Sequence, residues 1–297
     1  MEEILKLDNI SQYNTHRGVE TLHPLVSVVD MSKATPTQSA RIHFGFYCVF
    51  LKEVQCGDLK YGCNYYDYQE GTLVFVAPGQ TVGITSKEIV QPKGWALLFH
   101  PDLIRGTSLG HNIKDYSFFS YEVYEALHLS EKEKQIVIDC LNKIDYELGQ
   151  SIDKHSKTLI ANNIELLLNY CKRFYDRQFI TRSHVNMDIL VKFERILDDY
   201  FQSEKPQIFG LPTVKYCADN IHLSPNYLGD LIKKETGKSA QEHIQLKLMN
   251  IAKEKIFDTS KSFSEIAYEL GFKHPQHFSR MFKKSVGFSP NEYRLQN

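Results

Sequence analysis

From Ile42 to Phe99 the apolar positions fall into short strand-like runs rather than helical stripes. HFGFYCVFL, GTLVFVA and GWALLFH are rich in aromatic and β-branched side chains, which suit a pleated backbone. Turn signals separate them at Cys56-Gly57-Asp58, Glu70-Gly71, Pro78-Gly79 and Pro92-Lys93-Gly94. Several short strands at this spacing predict a sandwich or a small barrel. Residues 1–40 show no comparable pattern and read as irregular and polar, broken by Pro24 and Pro36.

Beyond Pro101 the period changes. Ser130-Glu-Lys-Glu has the form of a capping box, and Ile136, Val137, Cys140, Leu141 and Ile144 then recur at helical spacing. A second helix is predicted from about Lys157 to Asp176, with Leu159, Ile160, Ile164, Leu167, Leu168, Cys171 and Phe174 as its apolar stripe. A third is predicted at about Asp188–Gln202, carrying Ile189, Leu190, Phe193, Ile196, Leu197 and Tyr200. The segment Gln178–Met187 between them is polar and aperiodic, so it reads as a linker. The expected domains are 1–180, with strands and packed helices, and 188–297, all helical.

The last third of the chain repeats itself. Residues 214–240 and 263–290 align with Ala218 on Ala267, Pro225 on Pro275 and Leu228 on Phe278. Lys233-Lys234 falls on Lys283-Lys284, Gly237 on Gly287 and Ser239 on Ser289. Each copy has the form of a short helix, a tight turn and a second helix, a helix-turn-helix pattern suited to reading a DNA groove.

In the second copy Ser264 is a candidate cap for a helix Glu265–Leu270, with Ile266, Ala267 and Leu270 inward. Gly271 supplies a turn residue free to take positive φ. His274 or Pro275 then opens a helix Gln276–Ser285, since proline suits a first-turn position. Phe278, Met281 and Phe282 fall on its buried face, and Gly287 ends it. In the first copy Thr213 starts a helix with Val214, Cys217 and Ala218. Ser224 caps the next, with Pro225 first and Tyr227, Leu228, Leu231 and Ile232 inward. Here His222 or its neighbour takes the turn without a glycine. Ala240–Phe257 between the copies reads as one helix, about 25 Å long at 1.5 Å per residue. It would hold two reading helices in successive groove segments, about 34 Å apart along one face of the duplex.

The outward residues are the candidate DNA contacts: Asn226, Asp230, Lys233 and Lys234 in the first copy, and His274, Gln276, His277, Ser279, Arg280, Lys283 and Lys284 in the second. Lysines of this kind serve phosphates, which position a protein without specifying sequence. The alternative for the whole region is two packed helical hairpins with solvated lysines.

Charge changes this picture more than composition does. The chain has 297 residues and a net charge of −1, which alone argues against a nucleic-acid partner. Residues 211–297, however, hold 13 Lys/Arg against 9 Asp/Glu, and residues 1–210 hold 22 against 27, so +4 and −5 add to the −1. A basic end on an acidic body fits a DNA-contacting module attached to something else. No apolar run approaches the roughly 20 residues of a membrane helix, and the start MEEILKLDNI has no signal-peptide core. The expected location is the cytoplasm, at the nucleoid, with no membrane partner. The six cysteines form no C-x-x-C pair and are expected to be reduced thiols, with a redox-sensing Cys56 or Cys63 as the alternative.

Three segments carry a family resemblance: I-A-x-x-x-G-F at Ile266–Phe272, F-S-R-x-F-K-K at Phe278–Lys284 and G-F-S-P-x-x-Y-R at Gly287–Arg294. With them, residues 190–297 resemble the DNA-binding region of the AraC/XylS bacterial transcription regulators. The linker helix usually carries an arginine near the position of Leu248; the nearest base here is Lys247. The strands, the P-G-Q at Pro78–Gln80 and G-W-A-L-L-F-H resemble the family's cupin-like effector domain. The resemblance implies an α+β two-domain chain: a cupin-like β-barrel with packed helices, then an all-α, homeodomain-like double helix-turn-helix domain. It implies double-stranded DNA as partner, a small-molecule effector of unknown identity and binding residues, a homodimer, and RNA polymerase as a further candidate partner.

No catalytic residue, metal site or cofactor is expected. His43 lacks an H-x-H partner and His100 is isolated from it, so both read as structural histidines at strand ends. Phe44, Phe46, Tyr47, Phe50, Tyr61, Tyr65, Tyr66, Tyr68 and Phe75 could line an apolar pocket or fill a plain core. The apolar stripes of the helices Glu131–Leu148 and Lys157–Arg177 suit either the barrel or a partner chain. Two rival functions stand beside the regulator: a DNA-binding domain fused to a catalytic metal cupin, and an effector-independent architectural DNA binder.

Overall fold

A computed structural model describes residues 4–36, 40–53, 71–84, 91–121, 125–181 and 183–296. Two compact units divide the chain, 1–181 and 182–297. Among the described residues no helix is long and apolar enough to cross a membrane.

The N-terminal unit opens with β1 (Ile4–Leu7), α1 (Ile10–His16) and β2 (Val26–Asp30). The expectation of an irregular start is therefore corrected. Asn9 accepts from the Gln12 amide, and the Gln12 side chain accepts from the Asn9 amide, closing a capping box on α1. Ile10 and Tyr13 then point into the core. The strands β3 (Ala40–Phe44), β4 (Tyr47–Lys52), β5 (Thr72–Val76), β6 (Thr81–Ile84) and β7 (Gly94–Phe99) follow. The run HFGFYCVFL is two strands, not one. Gly45 lies where a Cβ would meet the Asp8 backbone at 2.9 Å, and the chain there passes from one sheet to the other.

Strands β1, β3 and β6 form a three-stranded sheet, with β1 parallel to β3 in the register Ile4↔Arg41. The second sheet is antiparallel, in the order β2-β7-β4-β5-β8, where β8 is Leu127–His128. One apolar cluster takes Leu7, Ile42 and Phe44 from the first sheet and Val29, Cys48, Val76 and Leu98 from the second. The two sheets therefore face each other across a shared core. Phe44, Phe46 and Tyr13 meet there with centroids 5.7 to 6.4 Å apart. Tyr61, Tyr65, Tyr66, Tyr68, Cys56 and Cys63 lie outside the described residues.

After β7 come the short helices α2 (Pro101–Ile104) and α3 (Ser108–Asn112), then 3-10 turns that bury Phe118 and Phe119. Helix α4 (Glu131–Leu148) begins with the expected Ser130/Glu133 capping box. Helix α5 (Ser156–Thr181) stacks Tyr175 on Phe118, which in turn contacts Phe75 of β5. Arg177 joins α5 to the start of α4, reaching Glu133 at 2.8 Å and the His128 carbonyl at 2.6 Å. Burial opposes ionisation of Glu133, but its bonds to Ser130 and Arg177 win and hold the carboxyl below the usual range.

The boundary between the two units falls within Gln178–Met187, the expected linker, but the segment is helical on either side rather than irregular. Helix α5 runs to Thr181, and α6 (Ser183–Gln202) begins at Ser183. Polar residues occupy the buried side here. Gln178 accepts from the His128 amide at 2.8 Å and donates to the Ala126 carbonyl at 3.2 Å. Asn186 is likewise buried.

The second unit continues with α7 (Lys205–Phe209), α8 (Val214–Ile221), α9 (Pro225–Thr236), α10 (Ala240–Lys255), α11 (Phe263–Glu269), α12 (Pro275–Val286) and α13 (Pro290–Gln296). Helix α7 has no counterpart in the sequence reading.

Candidate nucleic-acid interface

The two copies of the repeat become two helix-turn-helix modules, α8–α9 and α11–α12. Each small alanine, Ala218 and Ala267, is fully buried where the second helix crosses the first. Thr213 caps α8 and Ser224 caps α9, with Pro225 at the first helical position. The cap of α11 is Ser262 rather than Ser264, and its Glu265 closes a capping box two residues earlier than expected. His274 is the N-cap residue of α12, with Pro275 next.

The turns differ. The second takes Gly271 at φ 94°. The first takes His222 at φ 60° and ψ 43°, the one left-handed residue other than glycine among the described residues. Both second helices end the same way, with Gly237 at φ 74° and Gly287 at φ 92° in the left-handed cap.

Tyr227, Leu228, Leu231 and Ile232 of α9 are buried, as are Phe278 and Phe282 of α12; Met281 is half-buried. The opposite faces hold the candidate contacts. On α12, Gln276, His277, Arg280, Lys283 and Lys284 are exposed, and so is His274 at its cap. Gln276, Arg280 and Lys284 have no side-chain hydrogen bond or ion pair among the described residues. Lys283 lies 4.0 Å from Glu292, and the rings of His274 and His277 meet edge-on at 5.4 Å. Ser279 is half-buried and donates to the Pro275 carbonyl at 3.2 Å, so its hydroxyl proton is engaged within the helix. On α9, Asn226, Lys233 and Lys234 are exposed and Asp230 is half-buried.

The linker helix is α10, 16 residues and about 24 Å long. Its Lys247 pairs with Asp198 of α6, so this base serves packing within the unit. One motif residue has a structural role of its own. Arg294 donates to the Ile256 carbonyl at 2.5 Å and the Asp258 carbonyl at 3.2 Å, and its guanidinium stacks 4.1 Å above Phe263. It thus caps the end of α10 and fixes the entry to α11. Tyr293 beside it contacts Phe257 and Phe282.

His43 of β3 bonds to Thr81 at 3.1 Å, and His100 caps α2 beyond β7. His43 thus lies on the first sheet, and His100 lies just past the second sheet's β7.

A family model described as a helix-turn-helix domain matches residues 217–296. An uncharacterized HTH-type transcriptional regulator of Bacillus subtilis (strain 168), YtdP, is 37% identical over 112 residues, 38% of this chain and 14% of the relative. An uncharacterized transcriptional regulatory protein of the same organism, YesN, is 38% identical over 85 residues, 28% of this chain and 23% of the relative. The chain thus spans less than a quarter of the length of these two relatives. A solved transcriptional regulator from Chromobacterium violaceum, described as having an AraC-type DNA-binding domain, is 23% identical with a TM-score of 0.33, covering 37% of this chain and 92% of that one.

Proposed function

We propose, from the premise that the C-terminal region is a helix-turn-helix domain of the AraC type, that this chain is a sequence-specific DNA-binding transcription regulator. The carrying observation is the outward face of α12, where Gln276, Arg280 and Lys284 stand exposed and unpaired on a helix whose other face is locked into the core. Arginine and glutamine there have the donors that base edges accept, and the lysines suit phosphates. We assign the same roles, in the first module, to Asn226, Asp230, Lys233 and Lys234. His274, His277 and Ser279 complete the second set. The partner is double-stranded DNA, RNA polymerase is a further candidate, and the place of action is the cytoplasm at the nucleoid.

The N-terminal unit is read as the regulatory part. The shared core between the sheets supports a cupin-like barrel, with Tyr13, Phe44 and Phe46 packed on one another inside it, and a small organic effector is what the family resemblance implies for this unit. Leu159, Leu166 and Ile180 of α5, between 41% and 64% exposed, support a homodimer through that helix. Among the described residues no group of three or more His, Cys, Asp and Glu is placed to hold a metal, which gives a catalytic metal cupin little support.

Mapping of bound genomic sites, followed by footprinting, tests this reading. Each monomer should protect two groove segments about one helical turn apart. Equal affinity for bound sites and random duplexes would favour an architectural binder instead.

A further inference from the structure

Helix α6 reaches the first module, the linker helix and the core of the second module. Near its start Asn186, 1% exposed, donates to the Glu235 carboxylate at 2.7 Å, in the last turn of α9. Midway, Asp198 pairs with Lys247 of the linker helix α10. Near its end the buried Tyr200 donates to the Gly210 carbonyl at 2.8 Å. Gly210 and the Pro206 carbonyl are seated on the turn of the second module: a Cβ on Gly271 would come 2.8 Å from the Pro206 oxygen and 2.9 Å from the Gly210 carbonyl carbon. Phe201, next along α6, belongs to the second module's core.

The second module packs on α10 through Leu248, Met249, Ala252 and Ile256, and attachment along one helix leaves rotation about that helix as the movement still to be restrained. A second attachment away from that axis removes the rotation. Helix α6 supplies it for both modules, through Asn186 for the first and through Tyr200 and the α7 segment Pro206–Gly210 for the second. We propose that α6 is the element that fixes the separation of the two recognition helices, with Asn186 and Tyr200 as positioning residues that touch no DNA. This rests on the DNA-binding reading above.

The test is selection by the full chain from a pool of random duplexes, comparing wild type with Tyr200→Phe, Asn186→Asp and the double variant. Tyr200→Phe removes one hydroxyl and keeps the ring, so it remains informative if the double variant folds poorly. Wild type should enrich two sequence elements at one separation. The variants should enrich the same two elements spread over several separations. The double variant should bind the wild-type arrangement about tenfold more weakly. Wild type in enough urea to match the variants' Tm should keep its single separation. If instead the variants lose Tm but keep the wild-type separation, Asn186 and Tyr200 are merely structural and the inference falls. If wild type enriches no paired elements, the DNA-binding reading fails instead.

Discussion

The two helix-turn-helix modules share a template but present different surfaces. Helix α12 carries Arg280, Lys283 and Lys284 and no acid, whereas α9 offsets Lys233 and Lys234 with Asp230 and Glu235. The turn of the second is a glycine pressed against another segment's backbone, and that of the first is a left-handed histidine. Repetition has preserved what holds each module together: the buried alanine, the proline opening and the glycine cap. It has freed what each shows to solvent. On the proposed reading, the acid-free face of α12 suits the stronger hold on a duplex, and the mixed face of α9 the weaker one.

That contrast can be broken first at the turns. Gly271→Val puts a branched side chain at φ 94° and into the Pro206 carbonyl, and should cost at least ~3 kcal/mol in urea denaturation. His222→Gly, the mirror experiment, should gain no more than about 1 kcal/mol by relieving left-handed strain. Comparable losses at both turns would mean that they are equivalent after all.

Next come the reading faces. Arg280→Ala should weaken binding to a mapped site by roughly 1–3 kcal/mol and relax the base preference beneath it. Asn226→Ala in the first module should cost about 1 kcal/mol or less. The reverse ranking, measured by titration at fixed salt, would assign the dominant role to α9.

A smaller effect separates positioning from reading. Lys283→Ala should weaken all duplexes alike, by about 1 kcal/mol at moderate salt, and lower the salt slope by about 0.9. A change confined to one sequence would make Lys283 a base contact.

The smallest effect concerns the support of the second module. Glu269 bonds to Lys261 at 2.5 Å and to Lys255 at 3.0 Å, which holds its carboxyl below the ordinary range, the Lys261 bond leading and the residual cost of burial opposing. Its stabilisation is present above the unfolded carboxylate pKa of about 4.3 and is lost as pH falls through the lower folded value. Glu269→Gln should therefore cost about 0.5 kcal/mol near neutrality, shrinking to nothing in acid. A Tm difference that persists in acid would point to packing.

Legibility in the sequence followed the chemistry of each segment. The modules were readable because their limits are set locally, by Ser224, Pro225, Gly271, Gly287 and the paired lysines. The start of the chain is not legible by period although Asn9 and Gln12 carry a readable cap, because the short β1 and β2 leave too few residues for a period to emerge. The junction at 178–187 is legible, but its helices are not, for a different reason. Gln178 and Asn186 are polar residues on the buried side of helices, each satisfied by a distant partner, so no apolar stripe marks the helix. Arg294 was legible as a motif but not as a cap, since its carbonyl partners lie more than thirty positions back in the chain.

The reciprocal Ser/Glu start recurs at Ser130/Glu133, Ser239/Glu242, Ser262/Glu265 and Ser289/Glu292. Each satisfies the first amides of its helix from within a four-residue span, so none depends on a neighbour for its beginning. A stretch of chain carrying such self-contained starts can be copied within a gene and still fold in its new place. The repeat that this chain carries is the kind of inheritance such punctuation permits, and the exposed faces of α9 and α12 are where the two copies were free to diverge.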